Sequence, residues 1–195
     1  MSRGARTRPS TLVGAWVGNG LVTNLGDFES IATTTVGSGG TTPITFSNIP
    51  QTYKHLQIRI LARTTNTSGV NWIFPTRFNG DTGSNYTYHG LRGDGASAVS
   101  YAGTSQTSTL AVNSGDDANS LLGWGVGVVD ILDYSNTNKH KTIRTLSGFE
   151  ENGSGMVDLI SGVWMSTSAI TSISIAAGTG SFREYSSFAL YGIKG

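Results

Sequence analysis

Residues 55–63 alternate in polarity: Leu56, Ile58, Ile60 and Ala62 are apolar, whereas His55, Gln57, Arg59 and Arg63 are polar. A period of two marks a strand with one buried and one wet face. Comparable runs follow at short intervals. Residues 28–36 end at the Gly37-Ser38-Gly39-Gly40 turn, and 44–49 end at Pro50-Gln51-Thr52. The segment 72–78 contains Pro75, which places it at an edge or bulge because proline cannot donate to a ladder. An Asn79-Gly80 turn leads to a strand at 86–91, and a polar region then opens at Gly93-Asp94-Gly95 and runs to about 106.

The second half repeats the pattern. Short strands are predicted at 108–112, 142–149, 156–164, 170–176 and 187–193, with a single helical turn at 116–122. Residues 124–132 are apolar on both faces (Val126, Val128, Val129, Ile131, Leu132), as in a central strand. Turn signals every 8–12 residues, without helical periodicity, predict an all-β antiparallel β-sandwich of jelly-roll or related Greek-key topology. No repeat of fixed period points to a propeller or solenoid.

Residues 1–26 differ from the rest. Pro9, Gly14, Gly18, Gly20 and Gly26 break any long helix, yet Leu12, Val13, Trp16, Val17, Leu21 and Val22 are poor choices for a solvated tail. The segment reads as an extended N-terminal arm, either a first strand laid along the domain or a segment that orders against a partner. In the second reading Arg3, Arg6 and Arg8 supply charge complementarity, and Leu12, Val13, Trp16 and Val17 the apolar contact. The apolar run is broken at Gly18-Asn19-Gly20, unlike a secretory signal, and no stretch approaches the roughly 20 apolar residues of a spanning helix. The expected organisation is an arm at 1–26 and one sandwich domain at 27–195, with no membrane insertion.

Composition narrows the chemistry. Only 13% of residues are charged, and 7 Phe, 4 Trp and 7 Tyr argue for a folded core. Net charge is +1; without Arg3, Arg6 and Arg8, ten of the 13 basic side chains face 12 acidic ones, a slightly negative body. Nonspecific nucleic-acid binding needs a basic stripe, so Arg59, Arg63 and Arg77 among Trp72, Tyr86 and Tyr88 read as polar strand faces. With no cysteine, disulfides and thiolate metal sites are excluded.

No catalytic constellation stands out. His55, His89 and His140 occupy separate segments without metal-ligand spacing. No G-x-S-x-G elbow occurs. Asp116-Asp117 and Glu150-Glu151 read as turn charges, and Asp130 on its central strand requires a partner, for which Arg144 is the candidate. Asn79-Gly80-Asp81-Thr82-Gly83-Ser84-Asn85 lacks the acidic density of a calcium loop and reads as a hairpin or Ω-type turn. The glycines at 123, 125 and 127 lack a phosphate loop's lysine and helix, which favours close packing. The expectation is a non-enzymatic protein without cofactor or metal. Tyr86, Tyr88, Tyr101 and Tyr134 are candidate surface contacts for a glycan, by stacking on sugar faces.

Segments of residues 28–195 resemble virion proteins of tailed bacteriophages. They are Phe28-Glu29-Ser30-Ile31-Ala32, Ile44-Thr45-Phe46-Ser47-Asn48-Ile49-Pro50, Gln51-Thr52-Tyr53-Lys54-His55-Leu56, Phe78 through Tyr86, and Tyr185 through Ile193. The resemblance implies a β-sandwich found in capsid decoration and tail-fibre contexts, with no catalytic motif. It implies a decoration (cement) protein on the outer surface of the virion, bound through its arm to the major capsid protein or other virion proteins. A homo-oligomer is expected, a trimer by the local threefolds of a coat lattice. The alternative is a tail-fibre or receptor-binding module that takes a host-surface glycan.

Overall fold

The computed structural model describes residues 27–67, 74–115 and 123–195, with the backbone of two short strands at 16–17 and 20–21. In chain order the strands are β1 (Trp16–Val17), β2 (Gly20–Leu21), β3 (Phe28–Thr35), β4 (Ile44–Phe46), β5 (His55–Ala62), β6 (Pro75–Phe78), β7 (Tyr86–Gly93), β8 (Ala98–Gln106), β9 (Thr109–Leu110), β10 (Gly125–Leu132), β11 (Lys141–Glu150), β12 (Gly155–Trp164), β13 (Ile173–Ile175) and β14 (Ser187–Ile193). Among the described residues no helix is long and apolar enough to cross a membrane.

The fold is an all-β antiparallel sandwich. A large sheet has the order β3-β14-β5-β10-β11-β12-β7-β8, and a small sheet the order β4-β13-β6-β9. The chain passes back and forth between the two, the jelly-roll habit, although the strands divide eight and four. β1 and β2 form a separate two-stranded ribbon.

Alternation explains the core. Leu56, Ile58, Ile60 and Ala62 of β5 all point at the small sheet and are at most 2% exposed. Val129 and Ile131 of β10, Ile143 of β11, Trp164 of β12, and Phe188 and Leu190 of β14 join them. Ile44, Phe46, Phe78, Ile173 and Ile175 answer from the small sheet. Phe182 packs edge-on against Phe74 at 4.9 Å and against Phe188 at 4.8 Å between ring centroids, filling one end of the sandwich.

Several elements differ from the sequence expectation. Residues 98–106, read as a polar region, are the nine-residue edge strand β8. It is held by its ladder to β7, and most of its side chains are exposed, so no alternation announces it. Pro75 is not on an edge strand, since β6 lies between β13 and β9; it is the first residue of its strand, a position that tolerates the missing donor. Arg63 is not on the wet face. The strand ends at Ala62, and Arg63 turns inward to 6% exposure with its guanidinium 5.4 Å from the Trp124 ring centroid. The helical turn expected at 116–122 and the Trp72 end of the 72–78 strand lie outside the described residues.

Asn79 and Gly80 both have positive φ, 52° and 68°, and Asp81 N–H closes the turn on Phe78 O at 2.9 Å. This turn does not close a hairpin, because β6 and β7 belong to different sheets. It redirects the chain across the sandwich, and the Asn79 side chain fastens it by accepting from Thr171 and Ser172 N–H and donating to Ala169 O. Close packing accounts for the glycines at 125 and 127. A Cβ on Gly125 would sit 1.8 Å from Asn113 O, and one on Gly127 would sit 2.6 Å from Val112 Cγ2.

Candidate functional site

The face of the large sheet that turns away from the small one carries an aliphatic band. Register sets Val128 beside Leu146, Leu146 beside Leu159, and Leu159 beside Leu91, one row across β10, β11, β12 and β7. In the next row Leu61 faces Val126, and Gly148 separates Val126 from Val157. Leu61, Leu91, Val126, Leu146, Val157 and Leu159 are 46, 55, 57, 55, 58 and 48% exposed. Half-exposed aliphatics are ordinary when scattered; six contiguous ones on one sheet face are not.

A polar row bounds the band. Gln57, Asp130, Arg144, Ser161 and His89 are successive cross-strand neighbours from β5 to β7. Asp130 accepts Nε2–H of Gln57 at 2.9 Å and Nη2–H of Arg144 at 2.7 Å, so the partner expected for Asp130 is the one present. Further along, the Arg59 guanidinium lies over Phe28 and Tyr191 at 5.7 and 5.2 Å from their centroids.

The band has relief. Gly148 leaves a depression of about 410 Å³ walled by Trp124, Val126 and Val157. On the other flank, Leu61, Val126 and Val128 stand over a groove of about 320 Å³ whose far side is Ser187 and Ala189. A ridge between two hollows can interdigitate with another surface; neither hollow encloses a small molecule.

The expected site residues fall elsewhere. Arg3, Arg6, Arg8, Leu12 and Val13 lie outside the described residues. Trp16 and Val17 are described only as backbone, paired with Leu21 and Gly20. Tyr86 and Tyr134 are corrected from surface contacts to core residues, each 0% exposed. Tyr86 stacks on Trp164 at 6.3 Å, accepts Phe78 N–H at 3.0 Å and donates to Asp81 O at 3.3 Å. Burial raises its pKa to about 12. Tyr134 donates to Pro50 O, which ties the turn after β10 to the loop before β5.

Tyr88 and Tyr101 are partly exposed, but each ring covers a cross-strand glycine, Tyr101 over Gly90 and Tyr88 over Gly103. Aromatic cover of glycine is a sheet-stabilising device. The Tyr101 hydroxyl also donates to Asp158 at 2.9 Å, and burial and that carboxylate together push its pKa up.

The polar clusters likewise bind themselves. Buried Asp158 takes Arg92 through Nε and Nη2 and accepts from Asn113. Asp81, the acid of the calcium-like loop, accepts Trp164 Nε1–H at 2.7 Å, Asn85 Nδ2–H at 2.9 Å and Gly83 N–H at 2.8 Å. The Trp164 and Asn85 bonds hold its pKa below the ordinary value. Glu29 is held low by Lys194 and by the Tyr53 hydroxyl, closing β3 against β14. Among the described residues no group of three or more His, Asp or Glu side chains is placed to hold a metal.

The sequence signal for the band was visible as Val126 and Val128 beside Val129 and Ile131, but apolar residues on both sides of a strand suggest two covering layers. β10 is central in its sheet, as expected, and is covered by the small sheet on one face only. No protein-family model, curated protein or solved structure matches the chain.

Proposed function

We propose that this chain is a non-enzymatic structural protein of a bacteriophage virion, a capsid decoration protein that docks on the assembled coat through its 1–26 arm. The observation that supports this reading is that the polar clusters around Asp158 and Asp81 are spent on internal hydrogen bonds, as in a scaffold rather than a reaction centre. A segment that binds only the assembled shell stabilises it by mass action. Arg3, Arg6 and Arg8 would supply the electrostatic approach and Leu12, Val13, Trp16 and Val17 the apolar contact.

Quantitative mass spectrometry of purified particles tests the assignment. A decoration protein is present at on the order of hundreds of copies, as the symmetry of a shell requires. A count near that of a tail appendage would move the protein to a tail fibre, and absence from particles would end the virion reading. Particles incubated with a chain lacking residues 1–26 should fail to retain it; normal retention would remove the docking role from the arm.

A further inference from the structure

We infer that the aliphatic band is a self-association surface, and that its occupant is the same face of a second copy of this chain. Six half-exposed aliphatic side chains place on the order of 500 Å² of apolar surface in water, near the upper end of the largest patch on a typical monomer. With the bounding row of Gln57, Asp130, Arg144, Ser161 and His89, the face approaches the roughly 800 Å² per partner buried by a stable interface. An aliphatic centre within a polar rim is also how such interfaces are built.

The relief and the charges suit an identical partner. The Leu61–Val126 ridge lies between the Gly148 depression and the groove beside Ser187 and Ala189, so each copy offers both a ridge and hollows. A twofold axis near Leu146 would set ridge into hollow twice, the self-complementarity that an isologous contact needs. Two sheets packed in this way sit about 10 Å apart with interleaved side chains. Asp130 and Arg144 neutralise each other on their own face, and Arg59, which borders the groove, holds its guanidinium over the Phe28 and Tyr191 rings at the β3–β14 edge. A nucleic acid or an anionic membrane would call for a basic surround, which this row does not provide. The resulting pair is twofold, unlike the threefold suggested by lattice symmetry.

This inference concerns the purified chain and does not rest on the virion reading, so the two can fail separately. Sedimentation velocity at micromolar concentration should give twice the 20.5 kDa chain mass. Leu146→Asp combined with Leu159→Asp should give a monomer with an unchanged circular-dichroism spectrum, since both side chains are exposed in the single chain. The absence of cysteine allows a second measurement that leaves the band apolar: Leu146→Cys should form an intermolecular disulfide on mild oxidation, whereas Ser38→Cys, in a turn off this face, should not. A monomeric wild type would overturn the inference. So would an oligomer unaffected by folded aspartate variants, or equal cross-linking at both cysteine positions.

Discussion

Arg92 grips Asp158 side-on, with Nε and Nη2 both within 3.0 Å of Oδ2, where the carboxylate has no solvent exposure. The pair joins β7 to β12 on the face shared with the small sheet, and Tyr101 from β8 and Asn113 complete its shell. A buried ion pair is a weak source of net stability, but removing one partner strands the other. Arg92→Ala should therefore cost about 3–5 kcal/mol, whereas the double replacement Arg92→Met with Asp158→Leu should recover a large part of that loss. Urea midpoints of the single and double variants give the comparison, and equal destabilisation by both would refute the argument.

Trp164 and Asp81 couple the far end of β12 to the turn between the sheets. Hydrogen bonds from Trp164 and Asn85 depress the Asp81 pKa below its ordinary value. Between the folded and unfolded values the unfolded chain binds more protons, so stability rises with pH there and is lost as pH falls through the folded value. Trp164→Phe removes the donor and should cost roughly 1–2 kcal/mol at neutral pH. It should also flatten the acid limb below the ordinary aspartate range. Thermal melts of both proteins from acidic to neutral pH would show whether their stabilities converge in acid, and parallel curves would count against it.

At the other end of the pH scale Tyr86 governs a second window. Burial raises its pKa from 10.0 to about 12, so the fold keeps the phenol neutral after the unfolded chain has ionised. Its stabilisation is complete below the unfolded value and declines as pH rises towards 12. Tyr86→Phe leaves the buried Phe78 N–H without its acceptor, a loss of about 1–3 kcal/mol, and should shrink the alkaline decline. Ultraviolet titration should show late tyrosine absorbance in the folded wild type, smaller in the variant.

What could be read from the chain was whatever alternates against a single covered face. Leu56 through Ala62 placed β5 and its buried side correctly, and Asp130 with Arg144 followed from the need to pair a carboxylate. β8 was illegible because its order comes from backbone pairing with β7, and its side chains gain little burial. Parity was also obscured on β12, where Asp158 occupies the covered face while Val157 and Leu159 occupy the wet one. That inversion hid the aliphatic band. Tyrosine raised the opposite difficulty: residue type suggested surface chemistry, but Tyr86 and Tyr134 have buried rings whose hydroxyls meet the backbone.

Lys141 is the remaining test of how this sandwich manages polarity. It opens β11 with no solvent exposure, and its Nζ donates to Asn136 O at 2.5 Å, Lys139 O at 3.0 Å and Thr167 O at 3.1 Å. Three carbonyls use all three ammonium donors, so the side chain pins the turn after β10 to the segment after β12. Lys141→Met keeps the apolar stem but leaves those carbonyls without their donor, at a cost of about 3 kcal/mol. Lys141→Arg should not rescue it, because a planar fork cannot reproduce the ammonium's three directions. Loss of amide-exchange protection confined first to residues 133–140 would distinguish loosening of the turn from general unfolding, and full protection there in Lys141→Met would contradict the assigned role.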